Sequence, residues 1–311
     1  MQSSLFYASI VLYASARDEE RLTGSIFFVG HVSMDRVENV NGVRVQPGGA
    51  ALYAAVAART LFENVCLVSI VGRDYEFMDV LKPFPRRYIK VFNMPSTRFH
   101  IKYDEKWRAR YLKTAYGAGS RISASNVPKE MFGPDDFVHL SPMRVEKVAK
   151  IVKEIRQASP ETKISVNAWI DYIKEGRKAR KIFREIAGKV DFFILNDSEA
   201  KALAETDSIS TAMRILETRM LVITLGEFGA IISREREVQM VPALNYPVGG
   251  IVDTTGAGDT WCGAFLAAYK LTGNLTTSVT AASVISSIKC SGWGFSNLVN
   301  LRFRGTQDLI E

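Results

Sequence analysis

The sequence predicts an α/β fold in which a central, mostly parallel sheet carries helices on both faces and a small β appendage projects from it. Three observations support this prediction. From Ser25 onward, short apolar runs alternate with segments of helical spacing or composition, as expected of a chain that passes repeatedly between strands and helices. The apolar runs lack two-residue polarity, which is typical of strands buried on both faces. Residues 97–114 instead alternate around a DEK turn and predict a hairpin.

The individual elements follow from these patterns in chain order. Six apolar runs predict the strands of the central sheet: SIFFVG, VCLVSIVG, DFVHLS, KISVNA, DFFILN and MLVITLG. Three segments predict helices: 49–62 is rich in alanine, and 144–158 and 174–187 place apolar residues at three- and four-residue steps. A smaller hairpin is predicted at 37–45 around Asn41-Gly42. Residues 229–233 and 238–241 predict a further antiparallel pair.

The chain shows no internal repeat, low-complexity tract or linker, so residues 25–311 are expected to form one domain with inserted segments near 36–47 and 96–116. Residues 1–24 are expected to form a separate leader. Its apolar run at 5–16 is too short to span a bilayer and has no basic segment ahead of it, as a secretory signal would need. We therefore expect a cytoplasmic protein that does not contact a membrane.

Composition narrows the classes of partner. The 311 residues are 47% hydrophobic, which is sufficient for a large core, and 40 Lys and Arg against 33 Asp and Glu give a net charge of +7. This charge suits a polyanionic ligand, but without a Lys/Arg block or an aromatic-basic repeat we expect no nucleic-acid partner. The cysteines Cys66, Cys262 and Cys290 are far apart and form no C-x-x-C or C-x-x-H pair. Neither a disulfide framework nor a zinc site is expected.

The strongest motif is the sequence DTTGAGD at residues 253–259, which is followed by the apolar run TWCGAFLAAYKL. We call residues 253–259 the signature turn. Its glycines permit a tight turn and a close approach to a ligand, and the run behind it predicts a helix. The N-terminus of a helix binds anions through its unpaired N–H groups and its dipole. An ordinary glycine-rich loop and a dinucleotide site are the alternatives, although G-x-G-x-x-G and the Walker motif are absent here.

With this motif the sequence resembles the ribokinase-like (PfkB) carbohydrate kinases from about Ser25 to the C-terminus, because DTTGAGD matches that family's C-terminal signature. The resemblance implies transfer of the ATP γ-phosphate to an alcohol. It makes Asp259 the catalytic base, with Gly256, Ala257 and Gly258 lining an anion hole for the transferred phosphoryl group. This chemistry requires positioning, charge neutralisation and acceptance of a proton, and no covalent nucleophile.

Further matches occur in the family's order along the chain. The motifs are GHVSMD after the first strand, PGG before the alanine-rich helix, N-D-S-E at 196–199, T-L-G at 224–226 and the hairpin at 97–114, which matches the family's lid. The resemblance assigns to the acceptor Asp35, Gly48, Gly49, Tyr53 and Arg110. It assigns to the nucleotide Asn167, Asn196, Glu199, Thr224, Gly226, Gly229 and Thr255. It also implies Mg²⁺ held through water by Glu199, and K⁺ beside Asp253 and the loop 291–294.

The acceptor is less well defined. Tyr53 stands where relatives commonly have asparagine, which argues against plain ribokinase activity. We expect a sugar, a sugar acid or an inositol, or alternatively a nucleoside. Phe99, Tyr103, Trp107 and Tyr111 either cover the ligand or simply pack the hairpin on the body. A non-catalytic relative that binds a sugar or a nucleotide is a second class, and a nucleotide-dependent oxidoreductase is a third. A homodimer through the lid is a further expectation from the family.

Overall fold

The computed structural model describes residues 24–235, 237–244, 249–306 and 308. Apart from Gly24, the predicted leader at 1–24 lies outside these residues. The strands, in chain order, are β1 (Ile26–Val29), β2 (Ser33–Asn39), β3 (Gly42–Gly48), β4 (Val65–Gly72), β5 (Ile89–Phe92), β6 (Thr97–Tyr103), β7 (Ala109–Ala115), β8 (Phe137–Leu140), β9 (Lys163–Asn167), β10 (Phe192–Asn196), β11 (Met220–Thr224), β12 (Ala230–Arg234) and β13 (Glu237–Val241). The α-helices are α1 (Ala50–Ala58), α2 (Val145–Ala158), α3 (Ile170–Lys174), α4 (Arg177–Ala187), α5 (Asp197–Ala204), α6 (Ile209–Ile215), α7 (Ala257–Thr272) and α8 (Leu275–Cys290).

The central sheet confirms the predicted fold class. Within the described residues it has nine strands in the order β13-β12-β11-β10-β9-β8-β1-β4-β5. All neighbours from β11 to β5 are parallel, whereas β12 and β13 form an antiparallel edge. All six predicted strands belong to this sheet, and so does the predicted antiparallel pair. Their uninterrupted apolar character is explained by helices that cover both faces.

Residues of β1 show this two-sided burial most clearly. Ile26 and Phe28 pack into a core with α1, α7 and α8. Phe27 and Val29 point to the other face and pack into a second core with α2, α4 and α5. Adjacent residues of a strand point to opposite faces, so an apolar run is required wherever both faces carry helices.

The helices agree with the sequence prediction, with one difference. The alanine-rich segment forms α1, which is buried from Ala51 to Ala58, and 144–158 forms α2. The segment predicted at 174–187 forms α4 only from Arg177 onward, because Gly176, with a φ of +134°, separates α4 from α3, which ends at Lys174. No helix of the described residues is long and apolar enough to cross a membrane.

A second sheet, the lid sheet, joins the two predicted hairpins. Its order is β3-β2-β6-β7, with β2 and β6 parallel and the other two pairs antiparallel. The hairpin predicted at 37–45 is longer than expected, because its strands extend over residues 33–48. Since β2 follows β1 after three residues and α1 follows β3 directly, the lid sheet is anchored where the central sheet meets α1.

Candidate active site

A cleft lies between the lid sheet and the carboxyl ends of the central strands. His31 enters it just after β1, and Asn167, Asn196 and Thr224 enter it as the last residues of β9, β10 and β11. In open parallel sheets, ligands bind at this end of the strands. The predicted site residues that line the cleft are Asp35, Gly49, Tyr53, Asn167, Asn196, Glu199, Thr224, Thr255, Gly256, Gly258 and Asp259.

The signature turn forms the floor of the cleft and leads into α7. Gly256 is the N-cap of this helix with a φ of +71°, and a Cβ atom here would lie 2.4 Å from the ring of Tyr53. Both its conformation and the space around it therefore require glycine. Around Gly258 the position of a Cβ atom is open, with no atom within 4 Å in the part of the chain that the structure describes. The first N–H groups of a helix have no partner within it, so this face of the turn can receive an anion.

Asp259 lies in the first turn of α7, deep in the cleft. Burial raises the pKa of its carboxyl to about 6, although a hydrogen bond from Asn167 lowers it. Asn167 Nδ2 donates to Asp259 Oδ1 over 3.3 Å. Asn167 Oδ1 is itself buried and has no hydrogen-bond partner among the described residues. A carboxylate at this position is a weak base that is ionised at neutral pH, as general-base catalysis requires.

Asp35 provides a second buried carboxyl group in the cleft. Ser33 Oγ donates to its Oδ1 over 2.6 Å, and burial raises the pKa of Asp35 to about 7. A Cβ atom on Gly48 would lie 1.9 Å from Asp35 Oδ2. The glycine predicted to approach the acceptor is therefore in contact with Asp35, and it makes room for this carboxyl group beside β3.

Asn196 and Glu199 form a capping box at the start of α5. Asn196 Oδ1 accepts the Glu199 N–H over 2.8 Å, and Glu199 Oε2 accepts the Asn196 N–H over 2.9 Å. Burial raises the pKa of Glu199 to about 8, although the hydrogen bond from the Asn196 backbone lowers it. The N-x-x-E motif thus has a structural role as a helix cap. The same two residues also face the cleft beside Thr224, which pairs with Asn196 across β10 and β11.

Five aromatic side chains surround one end of the cleft; we call them the aromatic enclosure. They are Phe99, Tyr111, Tyr116, Trp169 and Tyr172. Neighbouring rings are in contact: Phe99–Tyr111 at 5.9 Å, Tyr111–Trp169 at 4.8 Å, Trp169–Tyr172 at 5.3 Å and Phe99–Tyr116 at 6.1 Å between centroids. The Tyr172 hydroxyl donates to that of Tyr116 over 2.8 Å and closes the circle. Because Phe99 pairs with Asp35 across the lid sheet, the enclosure adjoins that carboxyl group.

Comparison with known proteins identifies the family of this chain. Residues 23–299 match the family described as pfkB family carbohydrate kinase. The chain belongs to this family. A cytidine kinase of Thermococcus kodakarensis is 28% identical over 258 residues, which cover 78% of this chain and 87% of that protein. A ribokinase of Lactococcus lactis is 29% identical over 293 residues, 86% of this chain and 90% of that protein.

A solved structure extends the likeness to the whole fold. A double-mutant fructokinase from Vibrio cholerae, bound to fructose, ADP and a potassium ion, superposes with a TM-score of 0.74. It is 16% identical and covers 88% of this chain and 95% of its own. At this identity the likeness establishes the fold, which is ribokinase-like. The predicted family and fold are therefore confirmed, and the chain is a pfkB-family kinase.

Several residues assigned by the family resemblance lie outside the lining of the cleft in this pfkB-family kinase. Arg110 is exposed and pairs with Lys102, on the face of the lid sheet opposite to Tyr111. Ala257 donates its N–H to the Thr254 carbonyl over 3.1 Å. The others outside the lining are Gly48, Gly226, Gly229 and Asp253.

The enclosure also contains residues that the sequence did not single out. Tyr116, Trp169 and Tyr172 were missed, although Trp169 and Tyr172 closely follow a strand whose carboxyl end was predicted to face the site. Of the four hairpin aromatics, Phe99 and Tyr111 line the cleft, whereas Tyr103 and Trp107 pack together with the lid residues Val37 and Ile101. The two interpretations of the hairpin aromatics therefore each describe half of them.

Proposed function

We propose that this pfkB-family kinase transfers the γ-phosphoryl group of ATP to a hydroxyl group of a nucleoside. The reaction class rests on one observation above all. Asp259, a partly buried carboxyl group with a raised pKa, lies in the first turn of a helix whose N-terminus opens into the cleft. A base and an anion site are thereby adjacent, as phosphoryl transfer to an alcohol requires.

In the proposed reaction Asp259 accepts the proton of the attacking hydroxyl group. Asn167 donates to the same carboxyl group and holds its orientation. The N–H groups of Gly256 and Gly258, which have no backbone partner among the described residues, stabilise charge on the transferred phosphoryl group. Ala257 supports the turn through its hydrogen bond to Thr254. Proton acceptance needs ionised Asp259, so the reaction is expected to proceed above a pH of about 6.

The nucleotide is proposed to lie along the ends of β10 and β11. Asn196, Thr224 and Thr255 supply polar groups on that side of the cleft, and Gly226 and Gly229 shape the connection beyond β11. Among the described residues, no group of three His, Cys, Asp or Glu side chains could hold a metal ion alone. Mg²⁺ normally binds through phosphates and water with one or two carboxylates, and Glu199 fits that requirement. The ion would neutralise phosphate charge there.

The nucleoside assignment rests on the aromatic enclosure. A free sugar offers hydroxyl groups to Asp35 but no aromatic π-face to stack against the rings of the enclosure. A nucleobase has such a face, and stacking on an aromatic side chain contributes about 1–3 kcal/mol per base. The Tyr111–Trp169 contact joins the lid sheet to the body at this end of the cleft. The cytidine kinase of Thermococcus kodakarensis supports the same assignment.

The experiment measures ADP release from ATP and Mg²⁺ with nucleosides, ribose, other sugars, sugar acids and cyclitols as acceptors. We expect a nucleoside to give the highest kcat/KM. Trp169→Ala should raise the KM for that nucleoside about 5- to 150-fold, the equivalent of one lost stacking contact. Trp107→Ala is the matched control, because this tryptophan belongs to the lid but does not line the cleft.

Other outcomes discriminate between the remaining candidates. If ribose or another free sugar is phosphorylated at least as efficiently as every nucleoside, the nucleoside assignment is wrong and the kinase assignment stands. If ATP raises the melting temperature but no acceptor is phosphorylated, a non-catalytic nucleotide-binding protein is favoured instead.

A further inference from the structure

Helix α8 contains one charged residue, Lys289, and the structure buries it completely. Its Nζ donates to the backbone carbonyl of Asp253 over 2.6 Å. The same nitrogen lies 3.5 Å from Asp253 Oδ2, and both side chains have an exposed fraction of 0%. Asp253 is the first residue of the signature turn, so a fixed positive charge lies directly behind the proposed anion hole.

The Asp253 carboxylate also joins three other segments to this charge. Its Oδ1 accepts the Thr255 N–H over 2.8 Å. Its Oδ2 accepts Gln46 Nε2 and the Gly294 N–H, each over 2.9 Å. Strand β3, the signature turn, α8 and the loop after α8 therefore meet at a single buried ion pair. Removal of one partner of such a pair strongly destabilises the folded protein, because the other charge remains buried.

Tyr53 connects the ammonium group to the turn itself. Lys289 Nζ lies 5.5 Å from the centroid of the Tyr53 ring, and this ring contacts the position of Gly256. The Tyr53 hydroxyl accepts Gln46 Nε2 over 3.2 Å. The tyrosine that replaces the family's asparagine thus packs between the buried cation and the N-cap of α7. A cation held over an aromatic face is an attractive arrangement when it is desolvated.

We propose that the Lys289 ammonium is the built-in cation of the anion hole and takes the place of a monovalent metal ion, so that this kinase needs no potassium. The proposal rests on the proposed function, because it assumes that the signature turn receives the phosphoryl group. The sequence had assigned K⁺ to Asp253 and the loop 291–294. These groups do not fit a further cation, since the Asp253 carbonyl and carboxylate already face the ammonium group.

The pKa shifts of Asp253 and Lys289 are consistent with an ionised pair. Burial raises the pKa of Asp253, but the charge of Lys289 and the hydrogen bonds of Gln46 and Thr255 outweigh this effect and hold it below its ordinary value. Burial lowers the pKa of Lys289, and Asp253 opposes that change. A second monovalent cation at this place would be repelled by the ammonium group at short range and low dielectric.

The first test uses the unaltered protein. Its turnover and its melting temperature are measured with potassium, sodium or tetramethylammonium as the monovalent cation, at constant ionic strength. We expect both quantities to be the same in the three salts. A severalfold higher turnover in potassium, or a melting temperature that rises with potassium alone, would overturn the proposal. This test requires no variant and therefore does not depend on how well one folds.

The second test removes the ammonium group. Lys289→Ala leaves space for an ion, and in tetramethylammonium its turnover should fall about 100-fold, as on loss of an anion-hole group. Potassium or ammonium ions should restore most of that loss and raise its melting temperature. Lys289→Met fills the space without a charge and should not respond to either ion. Lys270→Ala is the control, since Lys270 is also buried and bonds the distant Asp135 carbonyl.

Turnover and melting temperature together distinguish a failure of this proposal from a failure of the proposed function. If no acceptor is phosphorylated, the proposed function fails, while the melting temperature of Lys289→Ala in potassium still tests the cation site. If the folded Lys289→Ala variant responds to neither potassium nor ammonium in turnover or in melting temperature, Lys289 does not stand in for a cation. The proposal is then wrong even when a nucleoside is phosphorylated.

Discussion

Asp259→Asn is the substitution that tests most directly how the cleft changes the pKa of the proposed base. In the folded protein the pKa of Asp259 is about 6, against an ordinary value of 3.8. Each unit of difference is worth about 1.4 kcal/mol, so the gap corresponds to about 3 kcal/mol. The folded state therefore binds this proton more tightly than the unfolded state does. Above a pH of about 6 the charged group opposes folding by up to that amount.

The sign of this effect predicts how the free energy of unfolding depends on pH. The unfavourable contribution is absent below a pH of about 4, grows as the pH rises through the folded pKa, and is complete by pH 8. An asparagine at position 259 cannot ionise. Its free energy of unfolding should exceed that of the unaltered protein by up to about 3 kcal/mol at pH 8, and by about half as much at pH 5. Urea denaturation at the two pH values measures the difference.

The same variant should lose activity while it gains stability. Removal of a general base lowers kcat by about 10²- to 10⁴-fold, whereas ATP affinity should change little. Glu146→Gln is the control, because Glu146 is an exposed acid in the first turn of α2. This substitution should change neither kcat nor the free energy of unfolding. Normal turnover in Asp259→Asn would remove this residue from the role of base. A stability difference that does not depend on pH would refute the desolvation argument.

Two further predictions follow from the same geometry. Because the pKa of Asp35 is about 7 and that of Asp259 about 6, kcat/KM should fall as the pH drops below about 7. In Asp35→Asn the pH profile of kcat/KM should show a single ionisation near pH 6. A profile that is flat between pH 5 and 8 would contradict this prediction. Gly256→Ala should lower the free energy of unfolding by at least about 1–2 kcal/mol, since its Cβ atom would lie 2.4 Å from the Tyr53 ring at a φ of +71°. Gly188→Ala, where φ is −71° and the Glu217 carbonyl oxygen lies 4.0 Å from the added atom, should have no such effect, and equal stability of the two variants would contradict the argument.

The elements that the sequence predicted correctly are those whose causes are local. A strand buried on both faces must be apolar throughout, and all six runs of this kind are strands of the central sheet. The signature turn is likewise encoded by contiguous residues, because Gly256, with its positive φ, directly precedes the first residue of α7. Asn196 and Glu199 show the limit of such inference. The same four-residue pattern describes a helix cap and a ligand site, and here the side chains cap α5 while they face the cleft.

The features that the sequence did not reveal depend on contacts between distant segments. The aromatic enclosure combines residues of β6, β7, the segment after the lid and α3, and it exists only because the lid sheet lies over the body. The orientation of Arg110 depends on the register between β6 and β7. An irregularity in this pairing between His100 and Ile101 determines which residues of β7 face the cleft. Lys289 can be recognised in the sequence as the single charged residue of α8. Its partner, however, lies 36 positions earlier in the chain.

The distribution of charge in the cleft connects stability with function. Three carboxyl groups have raised pKa values there, those of the buried Asp35 and Glu199 and of the partly buried Asp259, and the charge of Asp259 contributes to the increase at both of the others. An empty cleft therefore holds mutually repelling acids that oppose folding. In the proposed reaction, acceptor hydroxyl groups that donate to Asp35 and a metal-bound nucleotide near Glu199 would favour the ionised forms of these two acids. Ligands that bind in this way would therefore stabilise the folded protein and offset the repulsion among the three acids.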